Sequence, residues 1–418
     1  MKKLVGAAIL GQSGGPTSVI NASAAGVFLE ALNHPEYITH VYGAKHGIRG
    51  ILNEEFYDIN EEDKKELNLL KTTPASEIGS VRYKLKPLEQ DDSEYQRLLE
   101  VFKKYNIRYF FYNGGNDSMD TCNKVSKFFK DSGYECRCIG VPKTIDNDLC
   151  VTDHCPGYAS AARYVATTLM ELAKDANVYD TPMITVVEIM GRNAGWLTAA
   201  ASLATYKGSG PDLIYLPEET FDMEQLFKEV EQVLAKNNGK CLLCISEGVK
   251  DKSGKYIPEM FQELEKDSFG HSQLGGSSTI LANELKKKFG TKVRGIEFSL
   301  MQRSAQHLAS KVDVTEAFTA GKKAVKAALS GKTDYMVGFE RAYDDEGNYK
   351  CNYILIPLEL VANGEKKVPL EWIKKDHTGM TDDYIKYVLP LIQGDCKAPL
   401  EDGLPRFARL KKILVEKL

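Results

Sequence analysis

Apolar runs of strand length alternate with amphipathic runs of helix length along most of the chain. "KLVGAAILG" precedes "INASAAGVFLEAL", "IRYFFYNGG" precedes "SMDTCNKVSKFFKDSG", and "MITVVEIMG" precedes "NAGWLTAAASLATY". "DLIYLPE" precedes "DMEQLFKEVEQVLAKNNG", and "KCLLCISEG" leads through an insertion to "SSTILANELKKKFG". Strands separated by helices of this length predict mainly parallel sheets with helices on both faces. A domain boundary is expected near residues 150–160, in "LCVTDHCPGY", ahead of the long helical pattern "YASAARYVATTLMELAKDANVY". The charge-rich "LNEEFYDINEEDKKELNLL" reads as a solvated helix or loop. Beyond about residue 335, "YMVGFERA" and "NYILIPLELVA" read as strands and "DDYIKYVLPLI" as a helix.

At 418 residues the chain has room for roughly two to three domains. Its net charge of -4 supplies no bulk basic field, so a nucleic-acid partner is not expected and any anion must be held by local clusters of Arg and Lys. "MKKLVGAAILG" resembles a signal peptide, but its apolar run is only Leu4 to Leu10, contains Gly6 and enters a glycine turn. It reads as a first buried strand. No apolar run approaches the roughly 18 residues of a membrane span, and a cytoplasmic setting is expected. The nine cysteines include Cys241 and Cys244 in "KCLLCIS". On a strand these two face opposite sides and have no histidine near them, so they read as buried thiols and not as a metal or redox pair.

The polar motifs sit where strands end. "GQSGG", "NGGND", "PKTIDND", "MGRNAG" and "SEG" each follow an apolar run directly. Ligands of parallel α/β sheets collect beyond the carboxyl ends of the strands, so these turns predict one enzyme cleft. Gly11, Gly14 and Gly15 either let a phosphate approach the backbone at a helix N-terminus or make a tight turn. Asn116 and Asp117 either offer oxygens to a Mg²⁺ or serve the helix that follows, with Ser118 as its cap. In "PKTIDND", Lys143 suits a phosphate and Thr144 can donate a hydrogen bond. Asp146 or Asp148 could take a proton from a hydroxyl; the plain alternative is a polar turn. Arg192 suits bidentate phosphate binding, and Glu247 could accept sugar hydroxyls. Arg82, Arg294 and Arg303 fit a substrate with several phosphate charges, or form surface ion pairs. The G-x-G-x-x-G spacing and the Walker P-loop are both absent.

Taken in order, "GGPTSVINA", "GGNDS", "PKTIDND", "MGRNAGW", "SEG", "MQRS" and "SKVD" closely resemble the phosphofructokinase family, over roughly residues 4–325. The resemblance implies two three-layer α/β lobes with mainly parallel sheets and an active site in the cleft between them. It implies transfer of a phosphoryl group to the 1-hydroxyl of fructose 6-phosphate, in glycolysis and gluconeogenesis, with Mg²⁺ as cofactor. Asp146 then matches the base. Thr144, Met190, Gly191 and Arg192 match positions on the sugar or the transferring group. Glu247 matches a ligand of sugar hydroxyls, Arg303 of the 6-phosphate, and Gly14 and Arg82 of the donor. Arg294 matches a residue that reaches across from a neighbouring subunit, which implies a homodimer or homotetramer.

Two positions resemble the diphosphate-dependent branch. Asp117 and Lys143 stand where ATP-dependent relatives carry glycine. A carboxylate at Asp117 would crowd and repel the α-phosphate of ATP, and a cation at Lys143 could stabilise the transferring group. The ATP-dependent enzyme is the alternative. Three departures accompany this: Asn116 replaces a Mg²⁺-binding aspartate, Leu300 replaces His or Tyr near the sugar phosphate, and Met183 replaces a substrate-binding arginine of allosteric relatives. Weak allosteric control is expected from the last, and Asn116 and Asp148 remain the candidates for the metal. The expected division is a donor lobe over 1–155 completed by about 303–350, a sugar-phosphate lobe over 156–302 completed by C-terminal segments, and a C-terminal extension over 351–418.

Overall fold

The computed structural model describes residues 4–261, 275–362 and 364–418. The first sheet holds β1 (Gly6–Gln12), β2 (Ile38–Ala44), β3 (Phe56–Asp58), β4 (Ile107–Gly114) and β5 (Arg137–Pro142). The second holds β6 (Met183–Ile189), β7 (Leu213–Tyr215), β8 (Lys240–Ser246) and β9 (Lys292–Glu297) in the order β9-β6-β8-β7, all parallel. A hairpin of β10 (Tyr335–Tyr343) and β11 (Tyr349–Pro357) returns to the first sheet, whose order is β11-β10-β5-β4-β1-β2-β3. Its central pairs are parallel, and antiparallel pairs close both edges. The two mainly parallel lobes expected from the sequence are present.

The strands read as unbroken apolar runs because both faces of each sheet are covered. In the first sheet Ile9, Phe110 and Tyr112 enter one core, and Ala8, Leu10, Tyr109 and Phe111 enter another. In the second, Val187, Ile189 and Cys244 face one core while Ile184, Val186 and Cys241 face the other. Cys241 and Cys244 thus point apart, and all nine cysteines are unpaired thiols. Among the described residues no helix is long and apolar enough to cross a membrane.

Helix α1 (Ile20–Ala31) follows the first glycine turn and α2 (Asn116–Asp131) the second; α3 (Tyr158–Ala176) opens the second lobe. The long α4 (Lys311–Leu329) packs on α1 at backbone contact. A Cβ on Gly26 would lie 2.1 Å from the Phe318 carbonyl oxygen, and one on Gly321 2.1 Å from that of Ser23. Only glycine permits this approach. The stretch read as a solvated helix or loop differs in part: Lys64–Leu69 is a short helix, but Phe56–Asp58 is an edge strand, with Phe56 fully buried between Tyr42 and Tyr105, and Glu54 and Glu62 are buried as well.

The chain beyond residue 350 is woven into both lobes. The hairpin runs across the expected limit at 350, and α5 (Asp382–Val388) buries Tyr384 and Val388 in a core of the second lobe. The last residues return to the first: Asp58 N–H donates to Ile413 and Val415 N–H to Phe56, at 2.8 and 2.9 Å. Arg406 makes a paired contact with Glu66.

A buried charge cluster ties these parts together. His154 is 1% exposed, with Nδ1 2.8 Å from Asp153 and Nε2 2.7 Å from Glu316 of α4. Both carboxylates accept, so both ring nitrogens are protonated. Burial opposes that charge, but Glu316 and Asp153 outweigh it and hold the His154 pKa above the ordinary 6.5. Arg341 of β10 grips Asp153 at 3.2 and 3.0 Å. A raised histidine pKa stabilises the fold fully below the ordinary value and progressively less as pH rises through the folded value. Urea unfolding of the wild type should therefore lose stability as pH rises above about 6.5. His154→Phe should remove that component and cost about 3 kcal/mol by taking the cation from between two carboxylates, which keep Arg341 and the Tyr349 hydroxyl as partners; an unaltered pH slope in the variant would contradict the cluster's role.

Candidate active site

The three glycine and aspartate turns of the first lobe leave adjacent parallel strands β5, β4 and β1, and those of the second leave adjacent β6 and β8. Their loops therefore emerge on common ends, as the polar motifs require.

Lys143 is the most enclosed charge here, 5% exposed. Its Nζ donates to the Gly15 carbonyl at 2.7 Å and lies 3.2 Å from where a Cβ on Gly14 would sit. Burial pushes its pKa down to about 8, against the charges of Asp146 and Asp148, which favour the ammonium. Gly14 has φ 78°, and its N–H already donates to Val81. Its contribution is thus a left-handed turn and an empty Cβ position, not a free amide. Arg303 closes on the same turn: its Nη1 would be 2.7 Å from a Cβ on Gly15, with Arg82 Nη2 at 3.9 Å. Burial and the neighbouring Arg82 hold Arg303 below the ordinary guanidinium range. A cationic patch thus faces the first glycine turn.

Opposite it stand carboxylates. Asp146 and Asp148 are half-buried and flank Asn147, which is fully buried in the left-handed region at φ 54°. Asn tolerates this conformation better than most residues. Its side-chain oxygen accepts from Cys155 N–H at 2.9 Å. Thr144 Oγ1 accepts from Asp146 N–H at 3.0 Å and tightens the turn. Burial raises the Asp146 pKa, with help from the Glu247 charge and against Lys143 and Arg192. Burial raises Asp148 as well, with Asp146 adding to it. Glu247 from the second lobe is raised by burial and accepts from Gly191 N–H at 3.3 Å. Arg303, which follows β9 of the second lobe, reaches the Gly15 turn of the first beside Arg82, so turns of both lobes meet there.

The "MGRNAG" turn is braced from three sides. Met190 N–H donates to Gln302 at 3.2 Å, next to Arg303 in sequence. Ser246 Oγ donates to the Gly191 carbonyl at 2.5 Å, where Gly191 takes φ 141°. Asn193 Nδ2 donates to Glu365 at 2.6 Å. Gln302, Ser246 and Asn147 were within reach of sequence reasoning, since each adjoins a motif residue. Glu365 lies far along the chain and carried no such signal.

For a metal, Asn116 supplies a buried Oδ1 with no hydrogen-bond partner, while its Nδ2 donates to Asp148 Oδ2 at 3.3 Å. The described residues hold no cluster of three His, Cys, Asp or Glu that could bind a metal. An open amide oxygen beside one carboxylate fits Mg²⁺, which keeps waters and takes further oxygens from a phosphate substrate.

Asp117 lies in the first turn of α2, half-exposed, with Lys84 3.6 Å from its carboxylate. The helix starts at Asn116 after Gly115, so Ser118 stands inside the first turn instead of capping it. Two positions lie outside the cleft of this chain. Arg294 is exposed on edge strand β9, paired with Thr185, and Met183 begins β6 at the end remote from the turns. Leu300, 56% exposed, precedes the short helix that carries Arg303.

The model of the phosphofructokinase family, described as "Phosphofructokinase", matches residues 7–297. A pyrophosphate–fructose 6-phosphate 1-phosphotransferase of Xanthomonas campestris pv. campestris is 46% identical over 415 residues, covering 97% of this chain and 96% of that protein. One from Halomonas elongata is 42% identical, covering 98% and 97%. The crystal structure of a pyrophosphate-dependent phosphofructokinase from Marinobacter aquaeolei superposes with a TM-score of 0.88 at 40% identity, covering 99% of this chain and 98% of that one.

Proposed function

Because the chain belongs to the phosphofructokinase family, we propose that it transfers a phosphoryl group from diphosphate to the 1-hydroxyl of fructose 6-phosphate, giving fructose 1,6-bisphosphate and phosphate, in glycolysis and gluconeogenesis. The observation that carries the choice of donor is Lys143, a nearly buried cation seated on the Gly14–Gly15 turn where an ATP-using relative carries glycine.

In this reading Asp146 takes the proton of the 1-hydroxyl as its oxygen attacks phosphorus. Its raised pKa brings the base nearer to the working pH, where proton transfer is efficient. Lys143, with Arg82, lies on the donor and balances charge on the transferring group and on the phosphate that leaves. Thr144 and the Met190–Gly191–Arg192 turn hold the sugar and the transferring group. Glu247 accepts sugar hydroxyls, and Arg303 takes the 6-phosphate. Asn116 and Asp148 would hold Mg²⁺, which when bound neutralises charge on the diphosphate oxygens. Asp117, on the first turn of α2 beside the donor, repels a longer polyphosphate.

The donor is assigned to the first lobe, 1–155 completed by the segment from about 303 through the hairpin, and the sugar phosphate to 156–302. Arg294, exposed on an edge strand, supports a homodimer or homotetramer in which it serves a neighbouring subunit. Nine unpaired thiols support a reducing, cytoplasmic setting. The small difference in group-transfer free energy between diphosphate and a sugar phosphate makes the reaction reversible.

Assayed with Mg²⁺ and fructose 6-phosphate, the purified enzyme is expected to turn over with diphosphate and hardly at all with ATP; robust ATP turnover with none from diphosphate would refute the donor. Asp117→Gly combined with Lys143→Gly should raise ATP use and lower diphosphate use, and an unmoved donor ratio would refute crowding and charge as the cause. A lowered lysine pKa means that Lys143 loses its charge as pH rises through about 8. The rate should therefore fall above that pH, and in Lys143→Arg the alkaline limb should move up, because a guanidinium stays charged. A limb that stays in place would assign it to another group.

A further inference from the structure

The acidic turn is held from a part of the chain that carries none of the motifs. The Asn147 side-chain nitrogen donates to the Tyr387 hydroxyl at 2.8 Å, across 240 positions of sequence. That hydroxyl donates in turn to the Asp153 carbonyl at 2.8 Å. Its single proton goes to Asp153 and a lone pair receives Asn147, so its rotation is fixed.

Tyr387 is itself immobilised. Arg341 Nη2 donates to its backbone carbonyl at 2.9 Å, and the guanidinium carbon lies 4.8 Å from its ring centroid. Arg341 is anchored by the Asp153 carboxylate. The rings of Trp196 and Trp372 lie 5.3 and 5.6 Å away. Trp196 directly follows the "MGRNAG" turn, so one tyrosine touches the catalytic loops of both lobes.

We propose that Tyr387 is a positioning residue for phosphoryl transfer: its hydroxyl holds Asn147, and through Asn147 the turn that presents Asp146 and Asp148 to the cleft. The proposal rests on the assignment of Asp146 as the base. Without the hydroxyl, the Asn147 side chain keeps its bond to Cys155 alone. A left-handed residue so released relaxes toward the right-handed region that L-residues prefer, and that rotation swings the carboxylates on either side. Misplacement by about 1 Å can cost about a hundredfold in rate. Glu247 and Arg303, assigned to the sugar hydroxyls and the 6-phosphate, stand on other elements, so of the sugar's proposed ligands only Thr144 shares this turn, and sugar binding changes less than the rate.

The test compares Tyr387→Phe, Asn147→Ala, the double variant and Asp146→Asn in the full chain, with diphosphate, Mg²⁺ and fructose 6-phosphate. In Tyr387→Phe and Asn147→Ala, kcat should fall by about tenfold to a hundredfold, with the KM for fructose 6-phosphate within about twofold of wild type. The double variant should be no slower than Asn147→Ala, which has already removed the group that Tyr387 holds. Full kcat in Tyr387→Phe overturns the proposal, even where its thermal midpoint drops, since that marks a bond serving stability only. Losses that multiply in the double variant overturn it too. Impaired Asp146→Asn beside either result leaves the base assignment standing; unchanged kcat in Asp146→Asn removes that assignment and the proposal with it. Should Tyr387→Phe not fold, Asn147→Ser, which keeps the tyrosine and shortens its partner, decides by the same kcat and KM criteria.

Discussion

Parallel strands share a direction, and the geometry of this protein follows from that constraint. Every loop that leaves the carboxyl end of a parallel sheet lies on the same side. Adjacent β5, β4 and β1 therefore bring "PKTIDND", "NGGND" and "GQSGG" together although the last of these, at 11–15, lies about a hundred residues or more before the other two, at 113–117 and 142–148. The second sheet does the same for "MGRNAG" and "SEG". The polar residues in these turns would be ordinary loop residues on an antiparallel meander; the common polarity makes them a site.

Within that site, opposing charges are held apart by backbone devices. Lys143 and Arg303 can approach the first turn because Gly14 and Gly15 have no Cβ in their way. Asp146 and Asp148 both remain half-exposed because Asn147 between them turns left-handed and buries its own side chain. Burial then works on both signs. It lowers the lysine pKa and raises those of the carboxyls, drawing acid and base toward neutrality. Opposed shifts of this kind, gathered in one cleft, mark a candidate functional site.

Two lobes can serve one reaction only if their loops keep register. Lys366 does this with its backbone: its N–H donates to the Asp148 carbonyl and its own carbonyl accepts from Trp196 Nε1, each at 2.8 Å. Its ammonium caps the Thr152 and Asp153 carbonyls at 3.1 and 2.7 Å. The His154 cluster adds α4 and β10 to the same junction. The C-terminal part of the chain thus acts as bracing between the lobes.

The order of elements, the parallel sheets and the strand-end motifs were legible in the amino-acid sequence, because continuous apolar runs and glycine-aspartate turns are local signals. Phe56–Asp58 was not, since three sheet residues among many charges carry too little pattern to register. Nor was the start of α2, because Gly115 ends the extended strand without a side-chain cap and the helix begins two residues before Ser118. Which groups meet was decided by the tertiary structure alone. It set Arg303 against Gly15, gave the Gly14 amide to Val81, and left Arg294 facing outward on an edge. Contacts between Asn147 and Tyr387, or Asp148 and Lys366, join residues more than two hundred positions apart. No periodicity or spacing encodes such pairs; they exist only once both lobes have packed against the returning chain.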